Sequence, residues 1–226
     1  MLYLIGLGLN VDGISKYGLD VAKKCKRVYL ENYTVEFPYS LKELSEVIGK
    51  KIIPLEREAV ESLEFLDEAK KTDVALLVYG SPLTATTHIS VLQEAKSSGI
   101  RAKVIYSASV LDAIAETGLQ IYKFGKIASI PRHEAPSFLE IMKENNKINA
   151  HTLLLIDIGM TLGEALEKLK DTKGKIILCQ ALGTRHQKIF YKEINELKDM
   201  EIKNPFCIII PGKLHFLEEE FLKNYE

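Results

Sequence analysis

The sequence predicts an α/β protein of two domains: an N-terminal, mostly parallel sheet flanked by helices, and a C-terminal mixed sheet with helices. Short apolar runs alternate with amphipathic stretches in the first half, which is typical of parallel strands joined by helical crossovers. The last three apolar runs lie close together, which favours antiparallel neighbours. The pattern changes near residue 112, so we expect domains at residues 1–112 and 113–226.

Length and composition argue against several classes of protein, among them general nucleic-acid binders, membrane proteins and disulfide-rich domains. The chain has 226 residues, 46% hydrophobic and 27% charged, ordinary values for a globular protein. A net charge of −1 indicates neither a general nucleic-acid binder nor a membrane-surface protein, and the apolar N-terminus is too short to span a bilayer. The three cysteines, Cys25, Cys179 and Cys207, form no CxxC pair. They therefore indicate neither a disulfide framework nor a zinc site, and this pattern fits a reducing cytoplasm.

The first half contains five candidate strands, at residues 2–7, 27–31, 52–55, 74–78 and 103–106. Helical patterns separate them, at residues 15–25, 40–48, 59–70 and 86–98. The clearest helical pattern is at residues 59–70. There an apolar stripe lies opposite a charged face, and the stripe consists of Leu63, Phe65, Leu66 and Ala69.

The second half begins with a small helix after Ser107 and Ser109 that stops near Gly118. Its predicted strands are residues 127–130, 152–156, 175–180, 188–192 and 207–211, and its predicted helices are 136–145 and 161–170.

The stretch from Val74 to His88 joins a fully apolar strand to a Gly80-Ser81-Pro82 turn and a hydroxyl-rich helix start. Such a turn lies at the carboxyl end of a strand, where open α/β sheets bind ligands. The alternative to a ligand-binding loop is an ordinary strand-to-helix turn, because Gly and Pro are common in loops of every kind.

Gly6 and Gly8 follow the first strand, but the third glycine of a dinucleotide fingerprint would fall at Val11. A dinucleotide enzyme of the usual doubly wound kind is therefore not indicated, although Glu31 ends the second strand, where such folds hold a ribose-binding acid. The simplest interpretation is that the two glycines let the chain turn tightly out of the first strand. We still expect ligand contact there, because a glycine turn at the carboxyl end of a strand exposes backbone amides and carbonyls.

No P-loop, HExxH or GxSxG motif occurs, and the five histidines show no metal spacing, so we expect no metal site and identify no catalytic residue. His215 and Asp157 are expected to act as capping or turn residues. The Ser and Thr clusters lack a paired base, which leaves ligand hydrogen bonding or helix capping as their roles. Polar loops without a nucleophile are typical of an enzyme that positions two reactants, as in methyl transfer from a sulfonium cofactor.

Six segments together resemble the diphthine synthases, two-domain methyltransferases of the tetrapyrrole-methylase type. They match in order along nearly the whole chain, and the GLQIYKFG, ATTH and PGKLHFLE segments are the specific ones. The segments are Ile5 to Leu9, Gly80 to His88, Gly118 to Gly125, Ile130 and Pro131, His151 to Ile158, and Pro211 to Glu218.

The resemblance implies transfer of methyl groups from S-adenosylmethionine to the α-amino group of a modified histidine on translation elongation factor 2, in diphthamide biosynthesis. It also implies a cytoplasmic homodimer with the cofactor in a cleft between the domains. The cofactor contacts it implies are Leu9, Ser81, Thr84, Ser109, Val110, Ile156, Leu182 and Cys207. The target amine must be neutral before it can attack a methyl group, since an ammonium has no lone pair. Free α-amines have a pKa of about 8, so a fraction of the amine is neutral at cellular pH and no dedicated base is required.

Three positions depart from the family pattern. Ser81 stands where an acid is usual, residues 180–184 read QALGT in place of ARAGS, and Cys207 replaces a common histidine. Two alternatives stay open, and the second of them rests on Ser81 and the altered segment 180–184. One is a corrin-type tetrapyrrole methyltransferase, against which the GLQIYKFG and PGKLHFLE segments argue. The other is a diverged, non-catalytic binding protein of the same fold.

Overall fold

Two sheets organise the chain. The computed structural model describes residues 1–226 and divides them into two units, Met1–Val110 and Leu111–Glu226. Each unit has its own five-stranded sheet with helices packed on it. The predicted α/β class, with one parallel and one mixed sheet, is confirmed.

The sheet of the first unit is entirely parallel, with strand order β3-β2-β4-β1-β5. Its strands are β1 (Leu2–Gly6), β2 (Arg27–Glu31), β3 (Ile53–Leu55), β4 (Val74–Val78) and β5 (Ala102–Ile105). Its helices are α1 (Lys16–Lys24), α2 (Leu41–Ile48), α3 (Arg57–Glu61), α4 (Phe65–Ala69) and α5 (Ile89–Ser97).

The central strands of this sheet are buried on both faces. Side chains alternate along a strand, so Leu4 and Leu76 enter one core cluster while Ile5 and Leu77 enter the other. This explains why β4 is a continuous apolar run with no polar alternation.

The single helix predicted for residues 59–70 is wrong. The structure has two five-residue helices, α3 and α4, separated at Leu63, whose φ is 60°. Val60 and Phe65 both enter the same core cluster, but in one continuous helix they would point about 140° apart. The break at Leu63 therefore lets both halves bury their apolar side chains, and tertiary packing overrides the helical pattern.

The second unit has a mixed sheet with order β6-β7-β10-β8-β9. β6 and β7 are parallel, and β10 runs antiparallel to both β7 and β8. The strands are β6 (Ala128–Ile130), β7 (Thr152–Ile156), β8 (Lys175–Gln180), β9 (Lys188–Glu193) and β10 (Phe206–Ile210). The helices are α6 (Val110–Ala113), α7 (Ser137–Lys147), α8 (Leu162–Lys168), α9 (Ile194–Leu197) and α10 (Phe216–Leu222), with short 3₁₀ helices at Ile114–Thr117, Ile121–Lys123 and Lys223–Tyr225.

α9 and α10 were not predicted. Both are short, and α10 has the sequence FLEEEFL, whose run of glutamates hides its helical period. Only Glu218 and Leu222 of α10 are buried, so the sequence offers a weak amphipathic signal. No helix of the protein is both long and apolar enough to cross a membrane.

Candidate functional site

Three loops leave the first unit's sheet at the same edge. β1 lies between β4 and β5, with Gly6 opposite Val78 and Ile5 opposite Ile105. Because all three strands are parallel, the loops that follow them start side by side at the carboxyl edge. This is the edge at which open α/β sheets hold ligands.

Glycine lets these loops approach one another. Gly8 N donates to the Gly80 carbonyl at 3.1 Å, and Gly80 N donates to the Gly8 carbonyl at 2.9 Å. A β-carbon on Gly6 would lie 2.6 Å from the Gly80 oxygen and 3.0 Å from Ser107 N. The amides of Gly8 and Gly80 are therefore paired with each other. The structure therefore shows the tight turn, and the ligand contact expected at these glycines stays a prediction.

The five cofactor residues predicted in the first unit follow these three strands: four lie in the loops, and Val110 is the first residue of α6. Leu9, Ser81 and Ser109 are buried, whereas Thr84 and Val110 are half-buried. The Leu9 carbonyl accepts a hydrogen bond from Tyr79 Oη at 3.1 Å, and the Ser81 carbonyl accepts one from Thr84 N at 3.1 Å. The five predicted residues thus all follow strands that end at one edge of the sheet.

The hydroxyl-rich segment after Ser81 has a different role from helix capping. α5 begins only at Ile89, its N-cap is His88, and no side chain caps it. Thr86 Oγ1 instead donates to the Pro82 carbonyl at 2.9 Å. Ala85 has a φ of 55°, in the left-handed region, so the backbone of this segment is strained.

Glu31 is fully buried, but its carboxylate serves its own loop. Oε1 accepts from Tyr33 N at 2.9 Å and from Thr34 N at 2.8 Å, and Oε2 accepts from Thr34 Oγ1 at 2.7 Å. With these three bonds Glu31 closes the turn after β2.

The three cofactor residues predicted in the second unit lie near strand ends and on β10. Ile156 ends β7, and Leu182 follows β8 directly after Ala181, whose φ is 47°. Cys207 is buried on β10 and stands opposite Cys179 of β8. The hydrogen bond to Cys207 and complete burial raise the pKa of the Cys179 thiol well above its usual range, so that thiol is neutral.

Asp157 is a turn residue, as expected. Its Oδ2 accepts from Arg132 N at 3.2 Å, and its Oδ1 accepts from Ile158 N at 3.0 Å. No group of three or more His, Cys, Asp and Glu side chains is arranged to hold a metal ion.

The specific segments of the second unit meet at one buried carboxylate, that of Glu218. Oε1 accepts from Gln120 N at 2.9 Å and from His151 Nε2 at 3.2 Å. Oε2 accepts from His215 N at 2.7 Å and pairs with Lys123 Nζ. Residues 118–125, His151 and residues 211–218 are therefore joined by a single side chain, which the sequence analysis did not identify.

The protonation of this cluster follows from its donors. His151 Nδ1 accepts from Gly212 N at 2.9 Å, so the ring proton lies on Nε2 and is donated to Glu218. Burial lowers the pKa of His151, which stays neutral. Burial alone would raise the pKa of Glu218, but the donated hydrogen bonds outweigh it and lower that pKa to about 2.

His215 begins α10, and its capping role is confirmed. Its Nδ1 accepts from Leu217 N at 3.4 Å, while the Glu218 side chain reaches back to His215 N. This is a capping box with a histidine in the position usually held by Ser or Thr. The PGKLHFLE segment thus encodes a helix start.

Comparison with known proteins agrees with this architecture. Residues 1–198 match the family model described as Tetrapyrrole (Corrin/Porphyrin) Methylases. A diphthine synthase from Methanocaldococcus jannaschii is 38% identical over 99% of this chain and 98% of its own length. A diphthine methyl ester synthase from Schizosaccharomyces pombe is 35% identical over 100% of this chain and 94% of its own length.

Solved structures agree as well. A crystal structure of diphthine synthase superposes with a TM-score of 0.92 at 33% identity, covering 99% of this chain and 95% of that one. Family model, full-length relatives and fold converge, and the chain belongs to the diphthine synthases, methyltransferases within the tetrapyrrole methylase family.

Proposed function

We propose that this protein transfers methyl groups from S-adenosylmethionine to the α-amino group of a modified histidine on translation elongation factor 2, as a step of diphthamide biosynthesis. The observation that carries the proposal is the full-length similarity to diphthine synthases, at 38% identity over 99% of the chain. The specific GLQIYKFG and PGKLHFLE segments favour this reading over a corrin methyltransferase.

The loops of the first unit fit such a cofactor chemically. Ser81, Thr84 and Ser109 provide neutral hydroxyls, and Leu9 and Val110 provide apolar surface at the same sheet edge. An adenosine with a sulfonium-bearing side chain needs this mixture of hydrogen bonding and apolar contact. When bound, the cofactor supplies an activated methyl group. We propose Ile156, Leu182 and Cys207 of the second unit as further contacts.

The chain's own contribution is alignment and desolvation. We propose no general base, because an α-amine with a pKa near ~8 has a neutral fraction at cellular pH. Holding a neutral amine in line with a methyl donor supplies much of the rate in such reactions. If a conservative substitution of one titratable residue abolished turnover while cofactor binding stayed intact, a dedicated base would have to exist.

We further propose a cytoplasmic homodimer. All three cysteines are free and buried, which suits a reducing compartment. Sedimentation at several protein concentrations would test the dimer, since a monomer at every concentration would contradict it.

The decisive experiment combines labelled S-adenosylmethionine with elongation factor 2 that carries the precursor side chain. We expect label in the factor, and none in a factor whose target histidine is replaced. Alkali treatment separates the acceptors, because a methyl ester is hydrolysed and a methylated amine is not. Label that alkali removes would move the reaction to a carboxylate, as the name of the S. pombe relative suggests for that protein.

Calorimetry with S-adenosylmethionine tests the remaining alternative. Two departures from the family pattern, Ser81 and the altered segment 180–184, keep a non-catalytic binding protein in consideration. We expect measurable binding. Its absence would favour the non-catalytic protein, whereas binding without transfer to the factor would point to another methyl acceptor.

A further inference from the structure

Two side chains converge on one backbone carbonyl in the loop formed by residues 80–88. His88 Nδ1 lies 3.1 Å from the Pro82 oxygen, and Thr86 Oγ1 donates to the same oxygen at 2.9 Å. His88 is almost completely buried, with 1% of its surface exposed. The proposed function gives neither side chain a role.

The tautomer of His88 is determined by this contact. A carbonyl oxygen only accepts, so Nδ1 must carry the ring proton and donate it to Pro82. Nε2 is buried and has no hydrogen-bond partner. The buried imidazole therefore makes a single hydrogen bond, and its partner is the Pro82 carbonyl.

The anchored carbonyl lies next to the residues proposed to bind the cofactor. Ser81 precedes Pro82, and Thr84 N donates back to the Ser81 oxygen at 3.1 Å. A β-carbon on Gly6 would lie 3.0 Å from Pro82 Cδ, so Pro82 also sits against the exit of β1. Pro82 thus lies between Ser81 and Thr84 in the chain, and an anchor on its carbonyl restricts the backbone that joins them.

The loop needs such anchoring because it is strained. Ala85 has a φ of 55° and lies between Thr84 and Thr86. A non-glycine residue in this region persists only when its surroundings hold it there. Thr86, directly after the strained residue, and His88, three residues after it, both bond the Pro82 carbonyl on its other side, so the strained turn is bridged by two hydrogen bonds.

We propose that His88 is a positioning residue that donates from Nδ1 to the Pro82 carbonyl and so holds Ser81 and Thr84 in place for cofactor binding. The inference rests on the proposed cofactor site. It concerns the loop geometry, and a measurement on the protein without cofactor tests it separately.

The test compares His88→Leu, which removes the donor, with His88→Asn, whose side-chain amide can replace Nδ1 as donor. We expect His88→Leu to weaken S-adenosylmethionine binding by about tenfold, the ratio for one lost hydrogen bond, and His88→Asn to restore it to within about threefold. The effect should fall on the cofactor KM more than on kcat at saturation. His133→Leu, an exposed histidine of the other unit, is the matched control.

Hydrogen exchange of the cofactor-free protein provides the independent readout. The amides of residues 80–88 should exchange faster in His88→Leu than in wild type, and at the wild-type rate in His88→Asn. Equal exchange in wild type and His88→Leu, or failure of His88→Asn to restore protection and affinity, would overturn the inference. Wild-type protein that binds no cofactor would instead refute the proposed function and leave the exchange test valid.

Thr86→Val gives a second route if His88→Leu does not fold. It removes the other hydrogen bond to Pro82 while keeping the volume of a half-buried side chain. We expect a smaller loss of affinity and of protection in the same loop. Wild-type affinity and protection in Thr86→Val, with His88→Leu unfolded, would count against an anchored carbonyl.

Discussion

His151 Nε2 lies 3.2 Å from Glu218 Oε1, and both side chains are buried. The pair joins the start of β7 to the first turn of α10. Around Glu218, Gln120, His215 and Lys123 complete the set of donors. The segments that carry the family resemblance in the second unit are therefore the parts that hold the C-terminal helix to its sheet.

Replacement of Glu218 should be strongly destabilising. In Glu218→Gln the charge that balances Lys123 is lost, and the amide nitrogen faces groups that are themselves donors. Breaking a buried, hydrogen-bonded ion pair costs about 3 kcal/mol or more. Urea unfolding of the variant should show a loss of this size.

The control for this prediction is Glu219→Gln, one residue along the same helix and exposed. It should stay within about 0.5 kcal/mol of wild type. A Glu218→Gln loss as small as that of Glu219→Gln would show that the carboxylate is not the centre of the cluster.

Acid should lower the free energy of unfolding of the second unit through two buried groups, His151 and Glu218. The pKa of His151 is below its ordinary 6.5, so below that pH the unfolded chain takes up a proton that the folded one refuses. The pKa of Glu218 falls from 4.5 to about 2, so its contribution is full above pH 4.5 and is lost as the pH falls toward 2.

Both groups act in the same direction, and each contributes at most about 1.4 kcal/mol per pH unit. Stability measured by urea unfolding should decline from pH 7 to pH 3. The decline below pH 4.5 should be shallower in Glu218→Gln, because the amide does not titrate. Equal slopes in the two proteins would contradict the assignment of the acid-labile group.

Gly6→Ala should separate the loops of the candidate site. The new methyl group would lie 2.6 Å from the Gly80 oxygen, closer than any real contact, and the obstacle is backbone. Overpacking of this kind costs about 1–3 kcal/mol. Thermal unfolding should show the loss, and calorimetry should show weaker S-adenosylmethionine binding.

Gly163→Ala is the matched control. Gly163 lies in α8, and a β-carbon there would meet nothing within 4 Å. The same chemical change in the first turn of this helix should leave stability unchanged or raise it by at most about 0.5–1 kcal/mol, the gain of alanine over glycine in a helix interior. Destabilisation by both substitutions would mean that the contact at Gly6 is not the cause.

Ser81→Ala should weaken cofactor binding without unfolding the protein. We expect S-adenosylmethionine affinity to fall by about threefold to tenfold, the range for one neutral hydrogen bond. Ser97→Ala, at the exposed end of α5, should leave the affinity unchanged. Calorimetry of the wild type, Ser81→Ala and Ser97→Ala measures the three affinities. Wild-type affinity in Ser81→Ala would show that the Ser81 hydroxyl does not contact the cofactor.

Much of the fold was readable from local patterns. The all-apolar run of β4 and the alternation of strands and helices predicted the parallel sheet, because a strand buried on both faces has no polar positions. The same local reading failed at Leu63, where core packing splits a well-patterned helix, and at α10, whose glutamates conceal a buried Glu218.

The sequence by itself determined the fold class, the family and the loops that start at the carboxyl edge of the first sheet, since these depend on short-range periodicity and on motifs. Only the tertiary structure decided that Gly8 and Gly80 pair with each other, that Glu31 closes its own turn and that His88 holds the Pro82 carbonyl. It alone joined His151 to Glu218. The pairs Gly8–Gly80 and His151–Glu218 join residues far apart in the chain, and no local pattern encodes the distances between them. The bonds of Glu31 and His88 are short-range in sequence, but the partner that each buried side chain takes depends on the packing around it.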